Sequence, residues 1–398
     1  MMSELGYSAK VHSFATAKKI VFGIGAIGEA GAEVKQLQAS KVLVITDSGV
    51  AKAGLLTKVT KLFEDEDLAY ETWEQAEPEP SVDSAQAAVD KVREGAFDVV
   101  VGVGGGSALD ITKTAAIIAK QEGQVRQYLG VTLPKPEIPF ILIPTTAGTG
   151  SEVSNAAVLA VPEEDFKYVV YSPQMYPEAA IVDPVMSSTM PPTLTARTGI
   201  DALTHAIEAY VSLDRSPFTD IFAEKAMTLV GQHLRVAYTD GANMTARYGM
   251  AEASLLAGIA FGNAGTVLGH ALGYAHAYVH HLPHGVSVAV TEPYVLQYNA
   301  GTEVERHTRI AELLGDDVSE LPRKEAALRA AVGFRRLLRD LGMPSSLGEV
   351  GVTRDQLPNI ADRVFRSRAH VRRNPRSVNR EEMVGLLERA FDGVLDSD

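Results

Sequence analysis

Two patterns of hydrophobic residues divide the chain at about residue 185. In the first part, short continuous apolar runs alternate with stretches in which apolar residues recur every three or four positions. Continuous runs are typical of strands buried on both faces, and their alternation with helices predicts a parallel α/β sheet. The runs are KVLVIT (41–46), FDVVVGV (97–103), IPFILIP (138–144) and AAIVD (179–183).

The second part of the chain has a helical pattern. Beyond a proline-rich stretch at residues 184–192 the apolar runs fade, and segments rich in Ala, Leu and Glu follow. We therefore predict two domains, an α/β dinucleotide-binding domain at residues 1–186 and an all-helical domain at residues 187–398. Because ligands often bind where two domains meet, we expect the active site in the cleft between them.

Composition narrows the classes of function. The net charge of −13 leaves the chain without the basic surface that attracts nucleic acids or anionic membranes, so we expect neither as a partner. The absence of cysteine excludes disulfides, thiolate metal ligands and a cysteine nucleophile. The first residues do not resemble a secretory signal, and no apolar run has the length of a membrane span. We expect a cytoplasmic protein whose metal ligands, if it binds a metal, are nitrogen and oxygen atoms.

A glycine-rich turn follows the second apolar run. Such a turn between a strand and a helix lets the backbone approach a ligand closely, and the helix N-terminus attracts an anion such as a pyrophosphate. We predict that the helix begins at Ser107 and is capped by its hydroxyl. The turn is not a GxGxxG fingerprint, no GK[ST] follows it, and tight packing alone could explain it. Its residues are Gly104, Gly105, Gly106 and Ser107.

Two further strand ends carry side chains suited to a dinucleotide. Asp47 follows the first run, where a carboxylate can accept hydrogen bonds from a ribose and repel a 2′-phosphate, which favours NAD over NADP. The alternative for Asp47 is a helix or turn cap. The third run leads into IPTTAGTGSEVS, whose small hydroxyls suit a sugar or the nicotinamide amide, or the backbone of a turn. They include Thr145, Thr146 and Thr149.

Histidines are concentrated in one stretch, GHALGYAHAYVHHLPHG (269–285), which holds five of the chain's ten. On a predicted helix before it, Asp201 and His205 stand four residues apart, so they share a face and can bind one ion together. The histidine-rich stretch can supply further ligands, but spacing does not choose among its members. They are His270, His276, His280, His281 and His284.

Four motifs make the chain similar to the iron-containing (group III) alcohol dehydrogenases: GGGSALD, IPTTAGTGSEVS, GIDALTHAIEAY and GHAL…LPHG, in this order. The resemblance extends over nearly the whole chain, to NPRSV near the C-terminus. It implies a dehydroquinate-synthase-like architecture, a metal-dependent, NAD(H)-linked interconversion of an alcohol and an aldehyde or ketone, and a homodimer. Iron is the metal implied first, with zinc as the alternative. The ligands that the resemblance implies, all in the helical domain, are Asp201, His205, His270 and His284.

The resemblance also implies the contacts with the cofactor. The GGGS turn binds the pyrophosphate, and Asp110 of the same motif is included among the cofactor-binding residues. The TTAGT segment lies along the ribose and the nicotinamide, and Asp47 holds the adenosine ribose. Lys167 in FKYVV is similar to a lysine of the family that reaches the nicotinamide ribose.

The chain departs from the family's pattern at three places. Many members carry a second histidine, credited with proton transfer, four residues after the first; this position is Tyr274, and His276 follows two residues later. We therefore predict that His276 or Tyr274 replaces the relay, with ribose and water as the alternative. Gly262 stands where an asparagine is frequent, and the usual PNP is replaced by Pro78-Glu79-Pro80.

Two other functions remain open from the sequence. A hydroxyacid–oxoacid transhydrogenase of the same family retains its cofactor between two substrates, and PHGVSVAV together with Tyr274 favours that branch. A lyase of the dehydroquinate-synthase kind also uses NAD and a metal, but it needs basic residues for its substrate. No Lys or Arg lies between Arg247 and Arg306, which weighs against the lyase. The substrate, a small alcohol or carbonyl compound, is not identified by the sequence.

Overall fold

The computed structural model describes residues 11–280 and 282–396, without the side chains of residues 278–280. The contacts divide these residues into two compact units. One contains Ala15–Pro191 and Gly241–Ala251; the other contains Pro192–Asp240, the described residues from Glu252 onward, and residues 11–14. The main change of unit, at Pro192, lies close to the boundary predicted at residues 186/187. The grouping of Gly241–Ala251 with the first unit has no signal in the hydrophobic pattern.

The first unit is built on a parallel sheet, as predicted. Its strands are β1 (Ile20–Phe22), β2 (Lys41–Ile45), β3 (Ala69–Trp73), β4 (Val99–Gly104), β5 (Phe140–Pro144) and β8 (Ala179–Val182). Their order in the sheet is β1-β8-β5-β4-β2-β3, and each neighbouring pair is parallel. The four apolar runs of the sequence therefore form β2, β4, β5 and β8.

Both faces of the sheet are buried. In β2, Leu43 and Ile45 belong to one hydrophobic core, whereas Val42 and Val44 belong to another. Because alternate residues of a strand point to opposite faces, a strand with two cores needs apolar residues at every position. This explains the continuous runs. The helices of the unit are α1 (Ala30–Gln36), α2 (Ser48–Lys52), α3 (Leu55–Asp65), α4 (Val82–Gly95) and α5 (Gly106–Ile118).

Some strands lie outside the four predicted apolar runs. Strand β3 forms one edge of the sheet, and its sequence AYETW mixes polar and apolar residues and is only partly buried. A separate antiparallel hairpin is formed by β6 (Ala156–Val161) and β7 (Phe166–Tyr171). Exposed strand faces need fewer apolar residues than a central strand, so the patterns of β3 and β7 are weaker, whereas β6 (AAVLAV) is apolar at every position and mostly buried.

The second unit is helical, as predicted. Its helices, in chain order, are α6 (Pro192–Val211), α7 (Pro217–Thr239), α8 (Met244–Ala264), α9 (Leu268–His280), α10 (His284–Ala289), α11 (Glu292–Ala300), α12 (Val304–Leu313), α13 (Arg323–Asp340), α14 (Leu357–Val364), α15 (Arg368–Arg373) and α16 (Arg380–Asp392). The first turns of α8 belong to Gly241–Ala251 and group with the other unit. Within the described residues, no single helix has the length and hydropathy of a membrane span. Residues 244–264 and 268–277 reach them only when taken together across a 100° bend.

The parallel arrangement brings the predicted cofactor segments together at the carboxyl ends of the strands. Strands β5, β4 and β2 are neighbours, and their carboxyl ends lead into TTAGT, the glycine turn and Asp47 respectively. Gly104 pairs with Pro144 across β4 and β5, and the amide of Thr145 donates to the carbonyl of Gly104 at 2.9 Å. In open α/β sheets, ligands bind outside the carboxyl ends of the strands. The carboxyl ends of β5, β4 and β2 are therefore the candidate cofactor site.

Candidate metal and cofactor sites

Helix α6 carries two of the predicted metal ligands. Asp201 and His205 lie one helical turn apart, and both residues are almost completely shielded from solvent. The helix packs against α7 and α10. A carboxylate is costly to bury unless it is paired, hydrogen-bonded or bound to an ion.

The other two predicted ligands lie at the starts of successive helices. His270 is in the first turn of α9, and His284 is the first residue of α10, directly after Pro283. Proline fixes its own φ and cannot continue a helix, so Pro283 separates α10 from the end of α9. The break brings the first and the last histidine of the histidine-rich stretch close together.

The four side chains form one compact group of ligand atoms. Each offers one atom, and all four atoms lie within 4.8 Å of one another. Asp201 Oδ1 is 3.4 Å from His284 Nε2 and 4.0 Å from His205 Nε2. Two atoms bound tetrahedrally at about 2.1 Å from a metal lie roughly 3.4 Å apart, so these spacings fit a divalent ion.

The surroundings of the two ring nitrogens of His270 also indicate a metal site. Its Nδ1 is 2.7 Å from a carboxylate oxygen of Glu208, whereas its buried Nε2 has no hydrogen-bond partner within the described chain. Burial lowers the pKa of His270, but the charge and hydrogen bond of Glu208 and the charge of Asp201 together raise it, and the net shift is upward. An imidazole with one nitrogen on a carboxylate and the other unpaired is the usual arrangement of a metal-bound histidine. The residues present therefore fit the metal that the sequence implies.

Aromatic rings surround the four ligands. The His205 ring stacks on Phe261 at 4.2 Å between centroids and on His270 at 4.6 Å. Tyr274 stacks on His284 at 5.4 Å with an angle of 12° between the ring planes. These contacts restrict rotation of the imidazoles and hold them near one orientation. Apolar walls with few polar groups are typical of small-molecule sites.

The two candidates for the proton relay lie in different surroundings. Tyr274 contacts the ligand group through His284. His276 is fully buried, and its Nε2 is 3.0 Å from the carbonyl oxygen of Ser287, which can only accept a hydrogen bond. The structure therefore brings Tyr274 to the ligands and gives His276 a hydrogen bond to the backbone. The side chains of His280 and His281 lie outside the described part of the chain.

His370 is a neighbour of this group that the sequence does not indicate. It is buried, and its ring meets Tyr274 edge-on at 5.7 Å. Burial, with smaller contributions from His270 and Arg373, lowers the pKa of His370 to about 3, so its imidazole is neutral at pH 7. Nothing in AHVRRNPRSV marks this histidine, because only the fold brings helix α15 against α9.

The glycine turn differs from its prediction in one detail. Helix α5 begins at Gly106 with Gly105 as its N-cap, and no side chain caps it. Ser107 is therefore inside the first turn, and its predicted role as the cap is wrong. The amides at this N-terminus are left without a side-chain acceptor from the cap position, which suits an anion.

The glycines of the turn allow the threonine segment to approach closely. A Cβ on Gly106 would lie 2.9 Å from Thr149 Cγ2, and one on Gly105 would lie 3.4 Å from Thr146 Cγ2. The structure thus brings two of the predicted threonines against the glycine turn. The third, Thr145, is buried beside β4.

The position of Asp47 fits both predicted roles of its carboxylate, which are contact with the cofactor and capping of a helix. Its Oδ1 accepts hydrogen bonds from the amides of Gly49 and Val50 at 2.8 and 3.0 Å, so it caps helix α2. Its Oδ2 lies 3.4 Å from the position that a Cβ on Gly104 would take. The second oxygen therefore borders the glycine turn while the first serves as the cap.

Asp110 forms hydrogen bonds to two other segments of the same unit. One oxygen accepts from the hydroxyl of Ser151 at 2.6 Å, and the other accepts from the amide of Val158 at 2.9 Å. Burial raises the pKa of Asp110 against the opposing charge of Lys113, whose Nζ is 3.7 Å away. These bonds tie α5 to the TTAGTGSEVS segment and to β6. Both oxygens of Asp110 thus have partners in the fold, and its predicted contact with the cofactor stays a prediction.

Lys167 lies on β7 and pairs with the residue that replaces the family's asparagine. Its buried Nζ forms an ion pair with the carboxylate of Glu79. Glu79 has a φ of 57°, in the left-handed region that favours Asn and Gly. The turn docks on the hairpin through the carbonyl of Pro80, which accepts from Ala160 at 2.8 Å. The departure from PNP therefore places a carboxylate beside the lysine predicted to reach the nicotinamide ribose.

The comparison with protein-family models agrees with both units. Residues 17–184 match the model of the iron-containing alcohol dehydrogenases, and residues 195–391 match the model of the C-terminal part of that family. The chain belongs to the iron-containing alcohol dehydrogenase family. The predicted resemblance and fold class are confirmed, and this dehydrogenase is an oxidoreductase that acts on CH–OH groups.

Curated relatives cover almost the whole dehydrogenase. The sulfoacetaldehyde reductase of Bilophila wadsworthia is 40% identical over 380 residues, which is 95% of this chain and 98% of the relative. The long-chain-alcohol dehydrogenase 1 of Geobacillus thermodenitrificans is 40% identical over 377 residues, 94% and 95% of the two chains. Both names describe interconversion of alcohols and carbonyl compounds. They support the predicted dehydrogenase reaction and do not support the lyase.

Solved structures have the same fold. A 1,3-propanediol oxidoreductase superposes with a TM-score of 0.93 at 36% identity, covering 96% of this chain and 100% of the other. A sulfoacetaldehyde reductase from Bifidobacterium kashiwanohense, solved in complex with NAD+, superposes with a TM-score of 0.86 at 28% identity, covering 96% and 99%. The dehydrogenase therefore has the architecture of the family over 96% of its length.

Proposed function

We propose that this protein is an NAD(H)-linked alcohol dehydrogenase whose metal is held by Asp201, His205, His270 and His284. The observation that carries the proposal is the group of four ligand atoms within 4.8 Å, formed by two helix N-termini and one face of α6. One carboxylate and three imidazoles suit a divalent ion, which would have to add a fifth ligand to bind the substrate. Iron is our first choice because of the family, although the affinity order alone favours zinc over Fe²⁺.

Different residues of the chain have different roles in the proposed reaction. When bound, a divalent cation supplies Lewis acidity towards the oxygen of the alcohol or carbonyl group. Phe261 and Tyr274 exclude water from the imidazoles through their ring contacts. Glu208 keeps the proton of His270 on Nδ1. Tyr274 is our choice for the proton relay, because it contacts the ligand group and His276 is held by Ser287.

The proposed nicotinamide cofactor is NAD. The glycine turn offers the amides at the N-terminus of α5, which no side chain caps, and Thr146 and Thr149 lie against it. Asp47 borders the turn with one carboxylate oxygen, which would repel the 2′-phosphate of NADP. The complex of the Bifidobacterium kashiwanohense reductase with NAD+ supports the same choice. Lys167 would contact the nicotinamide ribose from β7.

The substrate that we propose is a small alcohol or the corresponding aldehyde or ketone. The named substrates of the relatives, sulfoacetaldehyde, long-chain alcohols and 1,3-propanediol, differ in charge and length, and they define the range to be tested. By resemblance we also propose a cytoplasmic homodimer. Light scattering should then give about twice the chain mass of 42.6 kDa.

The proposal is tested by NADH formation after removal of the metal and reloading. Metal-free protein is supplied with Fe²⁺, Zn²⁺ or no metal and assayed with NAD or NADP across short alcohols, 1,3-propanediol, 2-hydroxyethanesulfonate and 2- and 4-hydroxy acids. We expect metal-dependent turnover with NAD that His270→Ala abolishes. Equal turnover without metal, or an unaffected His270→Ala variant, would contradict the proposal. A single stoichiometric burst of NADH, with continued oxidation of the hydroxy acid only when a 2-oxoacid is added to reoxidise the bound NADH, would identify the transhydrogenase instead.

A further inference from the structure

A buried glutamate on α6 holds the start of α9. Glu208 lies on the same helix as Asp201 and His205 and is fully buried. Its Oε2 accepts from the amide of Val267 at 2.8 Å and lies 2.7 Å from His270 Nδ1, and its Oε1 accepts from the amide of His270 at 3.0 Å. An anion at a helix N-terminus is favoured by the unpaired amides and by the helix dipole.

These contacts determine which nitrogen of His270 carries the proton. Because a carboxylate only accepts hydrogen bonds, the nitrogen 2.7 Å from Glu208 must donate, so the proton is on Nδ1. The lone pair of the neutral ring is then on Nε2. This is the atom that the described chain leaves without a hydrogen-bond partner, and His270 is one of the four residues whose ligand atoms lie within 4.8 Å of one another. Glu208 thus sets both the tautomer of the ring and its orientation.

The adjacent glycine shows how closely the carboxylate approaches. A Cβ on Gly269 would lie 2.4 Å from Glu208 Oε1 and 2.0 Å from Glu292 Oε2. Glycine at this position is therefore required by two buried glutamates. Burial, and then the charge of Glu208, raises the pKa of Glu292 well above its usual value. No hydrogen bond in the described chain joins Glu292 Oε2 to His270, so the two glutamates differ in their relation to the ligand.

We propose that Glu208 is a positioning residue for the metal, which acts through His270, and that Glu292 does not have this role. The inference rests on the proposed metal ligands. It predicts that Glu208 is needed for metal affinity although it does not touch the metal. Hydrogen-bonding partners of metal-bound histidines typically contribute about tenfold to a hundredfold in affinity.

The test compares two isosteric variants with the wild-type chain, Glu208→Gln and Glu292→Gln. An amide at position 208 cannot accept from all three donors, because its NH₂ group would face one of them. We expect Glu208→Gln to weaken binding of Co²⁺ and Zn²⁺, measured by competition with a chelator, by about tenfold to a hundredfold. The visible absorption of bound Co²⁺ should also change. Glu292→Gln, next to the same glycine, should bind within about threefold of wild type with an unchanged spectrum.

Two further measurements separate positioning from a structural role. Thermal unfolding of the metal-free variants reports stability alone; a merely structural Glu208 would lower the melting temperature and leave the metal dissociation constant unchanged. Nitrogen-15 NMR of the Zn²⁺-loaded wild-type protein, labelled in histidine, should show the metal on Nε2 of His270 and a proton on Nδ1. This measurement decides the question even if Glu208→Gln does not fold.

The outcomes distinguish the inference from the proposed function. Wild-type affinity and spectrum in Glu208→Gln, equal losses in both glutamine variants, or metal on Nδ1 of His270 would overturn the role of Glu208. In these cases His270→Ala would still lose the metal if the proposed function is correct. Full metal binding by His270→Ala would instead overturn the proposed ligand set, and with it the inference.

Discussion

Tyr274 is the residue at which this chain departs most visibly from its family, and the structure brings it to the ligand group. Its ring stacks on His284 and meets His370 edge-on. Replacement by Phe keeps both ring contacts and removes only the hydroxyl. If Tyr274 is the proton relay, Tyr274→Phe should lower kcat by about a hundredfold, with metal content unchanged. His276→Gln should leave kcat per metal-loaded chain within about threefold of wild type, and the reverse pattern would assign the relay to His276.

His307 is a buried titratable residue outside the candidate sites, and it gives a prediction about stability. Its Nδ1 is 2.8 Å from the carbonyl of Glu303, and burial lowers its pKa from 6.5 to about 4. The unfolded chain therefore binds a proton at this residue between pH 6.5 and 4 while the folded chain does not. This histidine should reduce the free energy of unfolding as the pH falls through that range, by about 2 kcal/mol between pH 7 and pH 5.

The measurement for His307 is urea unfolding of wild-type and His307→Gln protein at both pH values. The variant should be less stable at pH 7, because a buried side chain has been replaced, but should lose less stability on acidification. An equal loss between pH 7 and pH 5 in both proteins would show that His307 does not contribute to the acid sensitivity.

Among the elements, helix α5 has little space for a side chain at its first residue, Gly106. A Cβ on Gly106 would lie 2.9 Å from Thr149 and would crowd the loop that borders the candidate cofactor site. We expect Gly106→Ala to raise the dissociation constant of NADH by about tenfold, equivalent to about 1.4 kcal/mol. Metal affinity should not change. Gly28→Ala is the matched control, because a Cβ at Gly28 meets no atom within 4 Å. Fluorescence titration with NADH would contradict this interpretation if both variants bound equally well.

The elements differ in how well the sequence predicts them. Central strands such as β2 and β4 have cores on both faces, so their runs are continuous and were readily predicted. Strands β3 and β7 have weaker patterns because part of their surface is exposed, whereas β6 has an apolar run of its own. The start of α5 was misplaced by one residue, since Ser107 is a stronger cap by type than the glycine that the turn uses.

The residues of the candidate sites also differ in how well the sequence predicts them. The spacing of Asp201 and His205 on one helix indicates a shared face, but only the resemblance chose His270 and His284 among five histidines. Glu208 could have been found, because it lies seven residues after Asp201 and three after His205 in DALTHAIEAY, on the same helical face. His370 and the pairing of Glu79 with Lys167 depend on contacts between distant segments, which no local pattern encodes.

At the scale of the whole molecule, the candidate metal site and the candidate cofactor site are assigned to different units. All four candidate metal ligands belong to the helical unit, and the candidate cofactor residues all belong to the unit with the sheet. A ligand that binds the native state slows local opening where it binds. In hydrogen-exchange mass spectrometry, Zn²⁺ added to metal-free protein should therefore protect α6, α9 and α10 most strongly. NADH should protect the start of α5 and residues 144–151. Protection by Zn²⁺ that spares α6 and α10 would contradict the assignment.

The most direct test of the central claim is the position of the metal in crystals of the active, metal-loaded enzyme. Anomalous diffraction recorded above and below the absorption edge of the bound metal locates it without assumptions about its ligands. We predict one peak, with Asp201, His205, His270 and His284 as ligands at about 2.0–2.2 Å. A peak on other side chains, or no peak at these four in crystals of active protein, would contradict the account.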